Sequence, residues 1–157
     1  MIKIDNHVIL KILLFSTPQF FVSIPMAYGF LGKRMDFKKW IPISIGVAIS
    51  QHFIRANIDS YIIYTSIILL IYIITGIIIN RGHVFKWTIS ILVSESIGFA
   101  LEFVFIQSLI LIFNVNPLDF SKDIILALKC FTPQIIVHSI MAIVIYKRRI
   151  TVFIENR

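Results

Sequence analysis

The stretch Phe85–Phe113, FKWTISILVSESIGFALEFVFIQSLILIF, decides the fold, because Glu95 and Glu102 are its only charged residues after Lys86. About 20 apolar residues in a helix cross the hydrocarbon of a bilayer, so this stretch predicts a membrane-spanning helix. The two glutamates are seven positions apart and therefore share one helix face. A carboxylate inside a spanning helix costs about 2.5 kcal/mol or more, so the pair predicts a polar centre with a function or a tightly paired contact.

The composition of the whole chain is typical of an integral membrane protein. Of its residues 58% are hydrophobic and 15% charged, and the mean hydropathy is +0.91, whereas soluble domains carry about 25% charged residues. The net charge of +7 does not indicate nucleic-acid binding, because the cations cluster between apolar segments, where lipid headgroups lie. The single cysteine, Cys130, excludes an intramolecular disulfide and a cysteine-based metal site.

Five apolar segments are long enough to be membrane spans, and none shows the alternation of barrel strands. They cover about residues 8–31, 37–55, 60–80, 85–113 and 124–146. The connections between them are short, so neighbouring segments should be antiparallel. The sequence therefore predicts an all-α integral membrane protein with a single transmembrane domain, a five-span helical bundle.

The distribution of cations predicts the orientation of this bundle. Ten cations fall on one side, namely Lys33, Arg34, Lys38, Lys39, Arg81, Lys86, Lys147, Arg148, Arg149 and Arg157, and five on the other, namely Lys3, Lys11, Arg55, Lys122 and Lys129. By the positive-inside rule the N-terminus is outside and the C-terminus cytoplasmic. We expect a multi-pass protein of the cell membrane, in a bacterium the cytoplasmic membrane. Trp40, Trp87 and Tyr146 fall at the predicted cytoplasmic interface, where amphipathic aromatic residues are common.

Polar side chains on other segments fall at the depth of the two glutamates. With a rise of 1.5 Å per residue, Glu95 lies about 15 Å from the cytoplasmic start of its helix and Glu102 about 10 Å further out. The predicted polar or ligand-binding centre comprises Gln19, Gln51, His52, Arg55, Glu95, Glu102, Gln134 and His138. We expect Glu102 to meet Arg55 or His52. We expect Glu95 to meet His138 or Gln134. These contacts would form either a binding site or polar glue between packed helices, and the sequence leaves both open.

A short repeat relates the first and last segments. Thr17-Pro18-Gln19 recurs as Thr132-Pro133-Gln134. Coincidence is one interpretation, and the other is a pair of helices that run in the same direction around a common centre. Proline removes a backbone donor and frees the carbonyl one turn earlier, so Pro18, Pro25 and Pro133 are predicted helix kinks.

The sequence contains no catalytic signature, and we do not expect an enzyme. Cys130 and His138 are separated by about 12 Å along a helix, too far for a nucleophile and its base. No Glu-x-x-His or His-Glu-x-x-His spacing occurs, so neither a metal site nor a cofactor is predicted.

Several elements of the chain occur in the order found in one family of sensors. Gly29-Phe30-Leu31-Gly32-Lys33 ends the first segment, Ile54-Arg55 closes the second, and Leu101-Glu102-Phe103 lies in the fourth. In this the chain resembles the small multi-span sensor region that precedes the kinase core in some quorum-sensing-type and sporulation-type histidine kinases of Firmicutes, and stand-alone relatives of that region. The resemblance implies a membrane-embedded sensor or ligand-binding module for an unknown small ligand. Such a module would signal through a protein partner or a homo-oligomer.

The Thr-Pro-Gln repeat supports an alternative function. It resembles the Pro-Gln helices of PQ-loop sugar and amino-acid transporters. That resemblance implies a small transporter or a substrate-binding subunit of one. A structural membrane assembly factor is the third possibility.

Overall fold

The computed structural model describes residues 17–58, 60–80, 83–113 and 124–153; residues 17–20, 52, 55, 56, 61, 113, 124, 125, 127 and 130 are described by their backbone alone. This part of the chain contains five helices and no strand. They are α1 (Thr17–Leu31), α2 (Phe37–Asn57), α3 (Tyr61–Asn80), α4 (Val84–Phe113) and α5 (Ile124–Arg148). The all-helical prediction is confirmed for these residues.

Two of the five helices are long and apolar enough to cross a membrane. The qualifying stretches are Ile62–Asn80 in α3 and Val84–Ile112 in α4, while the apolar stretch of α1, Phe21–Leu31, is shorter. Helices α2 and α5 contain more polar side chains, such as Gln51 and His138, which lower their hydropathy. The five-span arrangement is thus supported by length and composition for α3 and α4, and for the other helices it stays a prediction.

Helix α1 is the centre of the bundle. It packs against α5, α4 and α2, while α3 packs against α2 and α4, and α4 also contacts α5. Nearly every side chain of α1 from Val22 to Leu31 is buried. A helix that is apolar around its whole circumference is expected in such a position.

Helices α1 and α5 run in the same direction and touch near their C-terminal ends. A Cβ atom at Gly29 would lie 2.8 Å from the backbone carbonyl carbon of Ile145, so the absence of a side chain permits this approach. Further back along both helices, Val22 and His138 line one cavity. The shared direction agrees with the interpretation of the Thr-Pro-Gln repeat as a parallel pair.

Three aromatic residues, Tyr28, Trp40 and Trp87, form an aromatic layer across α1, α2 and α4. The tryptophan rings are stacked with centroids 5.6 Å apart, and Tyr28 meets Trp40 edge-on at 5.8 Å. Trp40 Nε1 donates a hydrogen bond of 2.7 Å to the Tyr28 hydroxyl, which donates in turn to Asn80 Oδ1 at 2.7 Å. Trp87 Nε1 donates to the carbonyl oxygen of Tyr72 at 3.2 Å. A buried indole needs such a partner for its N–H group.

The aromatic layer lies at the end of the bundle where α1, α3 and α5 end and α2 and α4 begin, which we call the basic end. Its cations among the described residues are Lys33, Arg34, Lys38, Lys39, Lys86, Lys147, Arg148 and Arg149. Trp40 and Trp87 do lie at this end, but they are only 1% and 0% exposed. They are interior residues at the predicted end of the bundle, and their N–H groups find partners inside the protein.

Candidate functional site

A polar cavity of about 250 Å³ lies among all five helices. Its polar and aromatic lining consists of Gln51, Tyr64, Thr65, Tyr72, Glu95, Phe99, Glu102, Phe131, Gln134 and His138, and Val22, Ile68, Leu69 and Ile135 complete the wall. Five of the eight residues predicted for the polar centre therefore meet around one space. They come from α2, α4 and α5, which are distant in sequence.

The buried face of α4 carries both glutamates into this cavity. Ser94 and Gly98 flank Glu95 on that face, and Glu102 follows two turns after Glu95. The Ser94 hydroxyl donates a hydrogen bond of 2.8 Å to the carbonyl oxygen of Ser23, which fixes α4 against α1 at the level of Glu95. Small residues on this face allow the close approach, as is common between membrane helices.

His138 reaches the cavity because Gly98 leaves room for its ring. A Cβ atom at position 98 would lie 3.1 Å from His138 Cε1, closer than side chains ordinarily pack. The imidazole is buried, with 4% of the residue exposed. The contact also sets the register between α4 and α5, since it opposes the glycine to the histidine.

The expected direct pairing of Glu95 with His138 or Gln134 is not what the structure shows. Among the described residues, Glu95 Oε1, Gln134 Oε1 and His138 Nε2 are all buried without a hydrogen-bond partner, and Gln51 Oε1 shares this state. The side chains surround a common space rather than bonding to one another at these atoms. The structure thus brings these residues around one cavity without the expected direct pair at these atoms, and their role as a site stays a prediction.

The second predicted pairing lies outside the described side chains. His52 and Arg55 are described by their backbone alone, so their contact with Glu102 stays a prediction. Gln51, on the same helix, does line the cavity together with Glu102. Gln19 is likewise described by backbone only. Ser23, one turn after Gln19 on α1, is completely buried, and its hydroxyl lies beside the Glu95 carboxyl group.

The prolines lie within helices that continue on both sides of them. Pro25 is inside α1 and Pro133 inside α5, and a third proline, Pro42, is inside α2. The side chain of Pro18 is not described. Bends at Pro18, Pro25 and Pro133 stay a prediction.

Sequence reasoning missed the contribution of α3. Tyr64, Thr65 and Tyr72 line the cavity, and Ile68 lies between them on the same face. The signal was present, because positions 64, 65, 68 and 72 follow the helical spacing of one face in an otherwise isoleucine-rich helix. Because few residues of this helix bear hydroxyl groups, its composition indicates an apolar span rather than part of a polar site.

The carboxyl groups that line the cavity are not matched by a lysine or arginine side chain among its described lining residues. These carboxyl groups belong to Glu95 and Glu102. The amide oxygens of Gln51 and Gln134 add hydrogen-bond acceptors to the cavity wall. Within the described ranges no three His, Cys, Asp or Glu side chains are grouped closely enough to hold a metal ion.

Comparison with known proteins found no similarity: no protein-family model, curated protein or solved structure matches the chain. The resemblances to sensor regions and to PQ-loop transporters therefore stay predictions. The functional argument depends on the geometry of the cavity.

Proposed function

We propose that this chain is a multi-pass membrane protein whose five helices all cross the bilayer, and that its polar cavity binds a small, positively charged ligand as the input of a sensor. The support for the first part is the arrangement of polar and apolar residues on α2. Ser44, Ala48 and Gln51 are buried, whereas Ile41, Ile45, Ile49 and Phe53 are 41–47% exposed. A helix with polar residues inside and apolar ones outside suits lipid surroundings rather than water.

Helix α5 has the same inverted pattern. His138 and Ala142 are buried, while Ile136, Ile140, Ile143 and Val144 are 43–58% exposed. Large exposed apolar surfaces on neighbouring helices are unusual for a soluble monomer. Both helices whose polar residues lower their hydropathy thus direct those residues inward, which is why a spanning role fits them.

In this arrangement the basic end faces the cytoplasm, as the positive-inside rule requires. The N-terminus is outside, and a bacterial cytoplasmic membrane is the proposed location. Reporter fusions at the two termini of the full chain test this topology. A periplasmic signal from the C-terminal fusion would contradict it.

The ligand class follows from the unsatisfied acceptors, which are the observation that carries the proposal. Glu95 Oε1, Gln51 Oε1 and Gln134 Oε1 are buried around the cavity with no partner among the described residues. A buried polar group without a hydrogen bond costs about 1–3 kcal/mol, more when it is charged. A ligand with N–H donors and a positive charge would satisfy these atoms and neutralise a glutamate. A volume of about 250 Å³ suits a small amine rather than a peptide.

The position of the aromatic layer at the basic end of the bundle favours a sensor over a transporter. Tyr72 lines the cavity, and its carbonyl oxygen accepts the hydrogen bond from Trp87 of the aromatic layer. This layer packs across the bundle at the basic end, with Trp40 and Trp87 fully interior. A ligand would enter from the outer half and remain there, and the response would pass to a partner protein or a second copy at the basic end.

Binding measurements on the purified full chain in nanodiscs test the proposed ligand class. We expect n-butylammonium to bind, and n-butanol and butyrate, which match it in size, to bind at least tenfold more weakly. Glu95→Gln keeps the shape of the side chain but removes its charge, and it should weaken n-butylammonium binding at least tenfold, about 1.4 kcal/mol. Asp36→Asn is the matched control, because this exposed carboxylate lies outside the cavity.

The same compounds distinguish the alternatives. Equal affinity of Glu95→Gln and Asp36→Asn for n-butylammonium, or no binding of any of the three probes, would contradict the proposed site and favour a structural role. Flux of n-butylammonium through reconstituted vesicles, abolished by Glu95→Gln, would establish a transporter instead of a sensor. Thermal unfolding of each variant without ligand separates loss of binding from loss of fold.

A further inference from the structure

A second cavity, of about 210 Å³, lies at the basic end and is separate from the polar cavity. We call it the basic cleft, and it is lined by Lys33, Arg34, Tyr146, Lys147 and Arg149. Within the described ranges none of its four cations forms a salt bridge. Four positive charges around one cleft repel one another, and a shared anion would relieve this repulsion.

The fold forces these cations together. Helices α1 and α5 touch where Gly29 meets Ile145, so their C-terminal ends are adjacent. Helix α1 turns out of its axis at Gly32, which has φ +72°, and the Lys33 N–H group donates to the Tyr28 carbonyl oxygen at 3.1 Å. This hydrogen bond is the Schellman closure of a helix end, and it directs the chain from Lys33 onward toward α5.

Helix α5 ends in the same way but with an arginine where a glycine is usual. Arg149 has φ 47°, and the Ile150 N–H group donates to the Ile145 carbonyl oxygen at 3.2 Å. Left-handed backbone at a residue with a side chain is strained, and such strain often occurs at functional sites. Here it occurs at a residue that lines the basic cleft.

Further contacts hold the two sides of the cleft at a fixed distance. The Met35 N–H group donates to the Tyr146 hydroxyl at 3.1 Å, and Phe37 meets the Tyr146 ring edge-on at 6.4 Å. The Val152 N–H group donates to the Phe30 carbonyl oxygen at 3.3 Å. The segment after α1 and the segment after α5 are thus joined, so the cleft is preformed.

We propose that the basic cleft binds a phosphate group, presented by the headgroup of an anionic phospholipid in the surrounding leaflet. Arginine and lysine side chains recognise phosphate, and basic pockets between membrane helices on the cytoplasmic side suit anionic headgroups. Val144, Ile150 and Val152, which are close in sequence to the residues that line the cleft, have exposed apolar side chains suited to acyl chains. The site goes beyond the polar cavity, and either can fail without the other.

The test uses the purified full chain and two phosphate sources. Dioleoylphosphatidylglycerol is titrated into detergent micelles and into phosphatidylcholine nanodiscs, and lipid adducts are counted by native mass spectrometry beside the thermal unfolding temperature. Inorganic phosphate at millimolar concentration is the soluble arm. We expect phosphatidylglycerol to remain bound and to raise the unfolding temperature, and inorganic phosphate to do neither.

The decisive variant is Arg34→Gln combined with Lys147→Gln, and Lys38→Gln combined with Lys86→Gln is its charge-matched control outside the cleft. We expect at least a tenfold loss of phosphatidylglycerol affinity in the first pair and less than a twofold change in the second. Arg149→Gly should also lose affinity, although its fold without lipid should be at least as stable, because glycine accepts the left-handed backbone.

Two results would overturn the proposal. Equal phosphatidylglycerol affinity in the two double variants would show unspecific attraction to a basic surface. Stabilisation by inorganic phosphate alone, with no gain from phosphatidylglycerol, would rule out the lipid headgroup as the ligand.

Discussion

Substituting Gly76 with alanine gives a sharp test of the packing, because helix propensity and structure predict opposite signs. Gly76 lies within α3, and the indole of Trp87 occupies the space that a side chain at this position would fill. A Cβ atom at this position would overlap Trp87 Nε1 and Cε2, so either the indole or the backbone of α3 must move. Alanine alone, judged by propensity, would stabilise the helix by about 1 kcal/mol.

The indole of Trp87 has little freedom to move aside. It is fully buried, stacks on Trp40 with centroids 5.6 Å apart, and lies 5.4 Å from the ring of Tyr28. Displacing it would lose the hydrogen bond from Nε1 to the Tyr72 carbonyl oxygen, about 1 kcal/mol. The two aromatic contacts are worth about 1 kcal/mol each. Subtracting the gain in propensity leaves a destabilisation of about 2 kcal/mol.

Thermal unfolding in detergent, followed by circular dichroism, measures this change. A loss of about 2 kcal/mol should lower the unfolding temperature by about 4–8 °C in a chain of this size. Gly46→Ala is the matched control, since Gly46 lies within α2 and a Cβ atom there meets nothing within 4 Å. It should hold or raise the unfolding temperature. Were Gly76→Ala as stable as Gly46→Ala, the placement of Trp87 against α3 would be refuted.

Two further substitutions probe the hydrogen bonds that join the helices. Tyr28→Phe should lower the free energy of unfolding by about 2 kcal/mol, because it removes the acceptor of the buried Trp40 N–H group and the donor to Asn80, and chemical denaturation measures this loss. Ser94→Ala should cost only about 0.6 kcal/mol, the average for polar contacts between membrane helices, because it removes one hydrogen bond to the Ser23 carbonyl oxygen. A larger effect for Ser94→Ala than for Tyr28→Phe would contradict this ranking.

The helices were predictable from the sequence because their lengths follow from uninterrupted apolar runs and short polar connections. The relative heights of the polar groups along the bundle were also predictable, since a rise of 1.5 Å per residue converts position into height. This is why Gln51, Glu95, Glu102, Gln134 and His138 were assigned to one centre, which the cavity contains.

What the sequence could not provide is distance across the bundle. Helical spacing shows that two groups share a level and a face, but not whether their atoms touch. Glu95 and His138, for which a hydrogen bond was expected, instead line a cavity between their helices. Trp40 and Trp87 illustrate the same gap, because an indole is equally suited to a membrane interface and to an interior site with a partner for its N–H group. Only the packing decides between these environments.

The proposed sensing mechanism has a specific element through which a ligand could act. Tyr72 connects the polar cavity with the aromatic layer. The residue lines the cavity, and its backbone carbonyl oxygen accepts the hydrogen bond from Trp87. Trp87 stacks on Trp40, whose partner Tyr28 lies on α1 four residues before the Gly32 turn and the basic cleft. A movement of α3 at Tyr72 would therefore displace the hydrogen-bond acceptor of Trp87 and act on the aromatic layer directly. Coupling requires that this layer have two arrangements with different affinities for the ligand, so a ligand that left its geometry unchanged could not transmit a signal by this route.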